Sequence, residues 1–241
     1  MSTKVRTATE FLEGGVAVAA ATLTAPLSRA WYNHWGATRD EATGDMPGDE
    51  LVPHPNMAST RAITIGAPPE QVWPWLVQLG QGRGGFYSYD ALENLIGCDI
   101  HSADRILPEH QGLAVGDLIR LAPGDTPCYR VAAIAKPHLI VLLGADPVTH
   151  EIPNTPVAER EMGLTWAWHL RPLRHERATR LIARQRYSYP AKQSVLWHVV
   201  EPIDFAMERR MLYGIRERAE GLAVKASAAL RDPVRDQVVR Q

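Results

Sequence analysis

Cysteine, lysine and phenylalanine are scarce in this chain, long apolar runs are missing, and neither sign of charge dominates. Each shortage removes a class of protein. Two cysteines in 241 residues, Cys98 and Cys128, build no disulfide framework and follow no metal spacing, so both are expected to be reduced and packed. A formal net charge of −1, with Arg and Lys interleaved among Asp and Glu, excludes the single-sign patch that a nucleic-acid partner requires. The uncharged, alanine-rich run Gly14–Ser28 falls short of the roughly twenty strongly apolar residues of a membrane span. Glu10 and Glu13 stand where a secretory signal would be positive. The run reads as an N-terminal helix that packs on the domain, with a weak contact to a membrane surface as the alternative. A cytoplasmic location is expected from the same signals, with a place peripheral to the membrane as the alternative. The patterns H-E-x-x-H, G-x-S-x-G and the P-loop are absent, which argues against zinc hydrolase, esterase and nucleotidase activity. His34, His54, His110, His138, His150 and His175 are scattered at spacings that suggest no metal site.

The length suits one substantial domain with extensions, divided here as 1–56 for an N-terminal helix and connecting arm, 57–230 for the domain and 231–241 for a tail. The arm, Arg29–Pro55, is rich in turn formers and carries Trp31, Tyr32 and Trp35, which are expected to pin it to the domain. Thr60–Ile65 alternates as a strand. A helix should follow, with Pro68, Pro69 and Glu70 at its start and Val72, Trp75, Leu76 and Leu79 on one apolar face up to Gly80. Strands are expected from Val115, Tyr129 and Leu139, a loop over 146–162, and two longer strands over Gly163–Leu173 and Ala178–Tyr189. Trp166 and Trp168 share one face of the first, and Arg180, Arg184 and Arg186 share one face of the second, so the tryptophan face should be the inner one. A long helix then starts near Pro202 and runs to about Leu230, its stripe being Phe205, Met211, Ile215, Ala219 and Leu222, with Glu208, Arg209 and Arg218 placed on the opposite side.

The stretch Gly80–Ile106, GQGRGGFYSYDALENLIGCDIHSADRI, concentrates glycines, aromatics, carboxylates and a histidine. Its glycines free the backbone for positive φ and close approach. Ser88 can cap a short helix over Tyr89–Ile96. His101 could serve as a base, Asp90 or Asp104 could orient it, and Arg83 or Tyr87 could stabilise an oxyanion. The same groups could equally lock the loop, through ion pairs Asp104–Arg105 and Arg83–Asp90.

The run from Ser59 through Ile106 resembles bacterial members of the SRPBCC superfamily, which includes START-related lipid-transfer domains and polyketide cyclases. The AP-x-x-VW-x-W-L start is similar to the superfamily's first helix, and the G-Q-G-R-G-G-F-Y-S-Y-D and H-S-A-D-R-I runs are similar to one uncharacterised bacterial subgroup; the likeness covers about Met57 to Leu222. It implies an α+β helix-grip (START-like) fold, in which a curved antiparallel sheet wraps a long C-terminal helix, with two short helices after the first strand. It also implies an internal cavity for a hydrophobic small molecule, with Trp75, Phe86, Tyr89, Trp166, Trp168, Tyr187, Phe205 and Met211 as its candidate walls. The cluster ligands of a Rieske oxygenase, which shares this domain, are absent. Two functions stay open: a carrier of a lipid-like or polyketide-like molecule, or a cyclase or dehydratase needing no cofactor. The sequence carries no signal of oligomeric state.

Overall fold

The structure is a computed structural model and describes residues 3–152, 162–173 and 177–238. It opens with helix α1, Thr3–Asn33, and a short helix α2, Arg39–Thr43. Strand β1, Met57–Ile65, is followed by helices α3, Pro69–Val77, and α4, Asp90–Leu95. Strands β2, Leu118–Arg120, β3, Cys128–Ala135, β4, Leu139–Ala145, β5, Gly163–Leu173, and β6, Ala178–Ser188, lead to helix α5, Ser194–Val238. All pairings are antiparallel and the sheet order is β1-β6-β5-β4-β3-β2, so the first strand closes against the last. An irregular register between Val131 and Ala133 adds a bend to β3. This is the helix-grip fold, with α3 and α4 as the two short helices after the first strand.

Helix α3 follows from local chemistry. Pro68 is its N-cap, Pro69 loses nothing in the first turn, and Glu70 meets the positive end of the helix dipole. Its apolar residues Val72, Trp75 and Leu76 join β5, β6 and α5 residues in one core around Trp168, Leu181, Met211 and Ile215.

Three expectations change at the helices. Helix α1 continues through Asn33 and bends by 120° at the break before Leu27, so Trp31 and Tyr32 belong to it and not to the arm. Tyr32 stacks on Phe205 at 5.5 Å between ring centroids, while Trp31 touches the same ring by its edge and stays 60% exposed. No single helix among the described residues is long and apolar enough to cross a membrane. Helix α5 begins before Pro202 and runs to Val238, through most of the expected tail. Ser88 does not cap α4; its hydroxyl donates to the Met207 carbonyl at 3.0 Å, tying the loop to α5.

The arm covers the outer face of the sheet, and there the arginine side of β6 finds its partners. Thr38 and Glu41 form a reciprocal capping box at the start of α2. Glu41 also accepts from Arg180 through both oxygens, at 2.8 and 2.7 Å. Arg184, buried, donates to Asp49 at 2.5 Å and to the Gly44 and Glu41 carbonyls, while Arg186 donates to the Val52 carbonyl. The tryptophan side is the inner one, as the alternation predicts. Most of the expected 146–162 loop, and three residues of the turn after β5, lie outside the described residues.

Candidate functional site

A cavity of about 620 Å³ lies between the inner face of the sheet and helices α1, α4 and α5. Leu95, Ile96 and Ile203 line it and are exposed, which marks its rim. Phe86, Tyr129, Trp166 and Tyr187 line it and are buried, which marks its floor. Helix α1 supplies a wall through Gly15, Val18 and Ala19, and α5 supplies Met207 and Met211.

The floor is not wholly apolar. Arg61 of β1, fully buried, donates through Nη1 to Asp204 at 2.8 Å and to Glu208 at 2.6 Å, and through Nε to the Tyr32 carbonyl. The other Glu208 oxygen accepts from Trp166 Nε1 at 2.8 Å and Gln185 Nε2 at 3.2 Å. Gln185 also donates to Asp204 and accepts from the Tyr187 hydroxyl. Asp204, Glu208, Gln185, Trp166 and Tyr187 all line the cavity. Burial opposes the charge on Arg61, but the two carboxylates outweigh it and hold the guanidinium above its ordinary pKa. Burial pushes the Glu208 carboxyl up by more than Arg61 pulls it down, and Asp204 adds to the rise. Burial likewise pushes the Tyr129 and Tyr187 hydroxyls up, so both stay neutral.

Glu93 of α4 forms part of the wall near the rim, with its Oε2 enclosed and lacking any hydrogen-bond partner. Its pKa is pushed up to about 8, by burial first and by Asp90 second. A carboxylic acid held near neutrality can give or take a proton.

The expected catalytic group does not assemble. His101 points to solvent, its side chain 81% exposed, and pairs at 3.2 Å with Asp99. The Asp90 carboxylate is occupied by Ser102, accepting from its backbone N at 2.7 Å and its hydroxyl at 2.6 Å. Asp104 is exposed, and neither it nor Asp90 makes an ion pair with the expected arginine. Arg83 donates to the Val77 carbonyl at 2.8 Å and does not line the cavity. Tyr87 is buried, its hydroxyl donating to the Trp75 carbonyl and accepting from Gln78, with the Arg218 guanidinium 4.5 Å above its ring. Those contacts hold Tyr87 at φ 58, a backbone state unfavourable for a bulky residue. The loop is therefore a lock: Gly85, at φ 72, lies so close to Ser102 that an added Cβ would come within 2.8 Å of its Cα.

Of the expected walls, Phe86, Trp166, Tyr187 and Met211 line the cavity, whereas the other four do not. Trp168 packs behind Trp166 at 4.4 Å between centroids, Trp75 packs edge-on against Tyr87, and Phe205 faces α1. Tyr89 is buried where α4 meets Gly14 of α1. Trp75 and Trp168 fill the main core, Phe205 packs in a separate cluster with α1, and Tyr89 is taken up by the α4–α1 contact.

The sequence reading missed Arg61, Asp204 and Glu208, although a signal for two of them exists. Arg61 shares the inward face of β1 with Ile63 and Ile65. Glu208 falls three residues from both Phe205 and Met211, inside the apolar stripe and not opposite it. A charge at a core position announces a buried partner. Among the described residues no group of His, Cys, Asp and Glu could hold a metal ion.

No model of a known protein family matches the chain, and no curated protein sequence does. Solved structures of similar shape include protein MLL2253 from Mesorhizobium loti, 14% identical, covering 68% of this chain and 97% of that one at a TM-score of 0.39. A protein from Arthrobacter aurescens is 14% identical, covering 73% of this chain and 90% of that one, with the same TM-score of 0.39. Norcoclaurine synthase from Thalictrum flavum is 12% identical, covering 73% of this chain and 93% of that one, also at 0.39. At this distance none of them transfers an activity. By its own strand order and its long last helix, the chain has the helix-grip fold, the architecture of the SRPBCC superfamily that residues 57–222 resemble.

Proposed function

We propose that this protein binds a hydrophobic small molecule, lipid-like or polyketide-like, in its internal cavity, as a carrier or sequestering protein. The supporting observation is the cavity itself. At about 620 Å³, with apolar walls and a few convergent polar groups on its floor, it has the size and character of a small-molecule site. Native mass spectrometry on freshly purified protein, followed by solvent extraction, tests this reading. An apolar molecule that co-purifies and leaves on extraction is the expected result. Protein of bare mass that also fails to take up hydrophobic dyes would overturn it.

A cofactor-free cyclase or dehydratase is the second reading, and its support moves from the loop to Glu93. The Asp90–His101 pair does not form, whereas Glu93 puts a proton-holding group in the cavity wall. For an enzyme, Glu93→Gln should abolish turnover of the extracted molecule while retaining its binding. For a carrier there is no turnover to lose.

A further inference from the structure

The charged groups that line the cavity are all carboxylates. Among the described residues that line it, the ionisable side chains other than the two neutral tyrosines and Cys98 are Glu93, Asp204 and Glu208; no Lys, Arg or His lines it. Arg61, which does not line the cavity, binds Asp204 and Glu208 through Nη1 and the Tyr32 carbonyl through Nε, while its enclosed Nη2 has no hydrogen-bond partner. One guanidinium therefore faces two carboxylates. Glu93 keeps its proton at pH 7 and adds no charge of either sign, and its enclosed Oε2 has no protein partner.

A buried anion at this site would meet the Asp204 and Glu208 carboxylates at the cavity surface, with the one cation behind them already facing both. A fatty acid entering head first would have to neutralise or stay at the rim. A protonated amine meets the reverse situation, since Asp204, whose side chain keeps 19% exposure, offers a carboxylate at the cavity surface. Resting on the carrier reading above, we infer that the cavity selects a molecule with an apolar body and a single protonated amine, which is seated against Asp204 and the adjoining carboxylates. An alcohol of the same length is accepted less well, and a carboxylate of the same length is rejected.

Isothermal titration calorimetry of the full chain at pH 7 with decylamine, decanol and decanoate tests the order directly, each used below its micelle concentration. Decylamine should bind about tenfold more tightly than decanol, as one well-placed charge pair provides, with decanoate weakest. Decanoate binding as tightly as decylamine, or all three binding equally, would overturn the inference while leaving the carrier reading intact. Failure of all three to bind would overturn both. Asp204→Asn keeps the shape and the hydrogen bond from Gln185, and should lower decylamine affinity about tenfold while leaving decanol affinity unchanged. Equal loss for both ligands, or no loss for either, counts against the inference.

Discussion

Burial moves Glu93 and His169 in opposite directions, because it strips solvent from a negative charge in one and from a positive charge in the other. The Glu93 pKa rises from 4.5 to about 8, so the folded chain keeps a proton that the unfolded chain has released. Its contribution to stability is complete below about pH 4.5 and is lost as pH rises toward 8. His169, on the arm side of β5, falls from 6.5 to about 4, through burial first and then Arg184 and Arg171. There the unfolded chain takes up the proton first, so stability falls as pH drops from 6.5 toward 4. The two slopes oppose each other between pH 4.5 and 6.5 and stand alone only above and below that window, so urea denaturation of the single variants separates them. Glu93→Gln removes the loss on the alkaline side and His169→Gln the loss on the acid side; a Glu93→Gln difference that stays flat from pH 4.5 to 8 would mean a solvated carboxyl.

Helix α5 can lie against the Gly80–Ile106 segment only because Gly214 has no side chain. A Cβ there would press into the Tyr87 carbonyl and come within 2.7 Å of Tyr87 Cβ. The Tyr87 backbone cannot retreat, since its ring is held by Trp75, Gln78 and Arg218, and Arg218 also donates to the Ala103 carbonyl at 2.7 Å. Gly214→Ala should therefore destabilise the protein by about 1–3 kcal/mol, the usual cost of overpacking. Gly221, two turns later on the same helix, has open space around it. Gly221→Ala should be neutral or stabilise by up to about 1 kcal/mol, through helix propensity alone. Thermal denaturation of the pair separates close approach from a general intolerance of alanine in α5.

Segments that precede β1 reach both sides of the sheet, whose inner face is otherwise packed by α3 and α5. The arm occupies the outer face through Arg180, Arg184 and Arg186, and α1 closes one side of the cavity on the inner face. Ligand retention should thus depend on a helix far in sequence from the floor. Gly15 lines the cavity, and a Cβ added there meets nothing within 4 Å. Gly15→Phe should fill the space and weaken the uptake of a hydrophobic dye about tenfold, on the scale of the apolar area it displaces, while leaving the thermal midpoint unchanged or raised. Unchanged uptake would place the bound dye outside this cavity.

Local pattern by itself determined the elements: the alternation of β1, β5 and β6, the proline-led start of α3, and the apolar stripe of α5 could all be read along the chain. Those signals are carried by neighbouring residues, whose periodicity survives without knowledge of the rest of the fold. The tertiary structure alone decided the site. Asp90 and His101 stand eleven residues apart and look like partners, yet a Ser102 hydrogen bond claims one and solvent the other. Arg61 and Glu208 stand 147 residues apart and meet at 2.6 Å, because β1 pairs with β6 and α5 then packs back across the inner face. A charge's chemistry depends on which partner reaches it first, and that is set by chain crossings that no local pattern records.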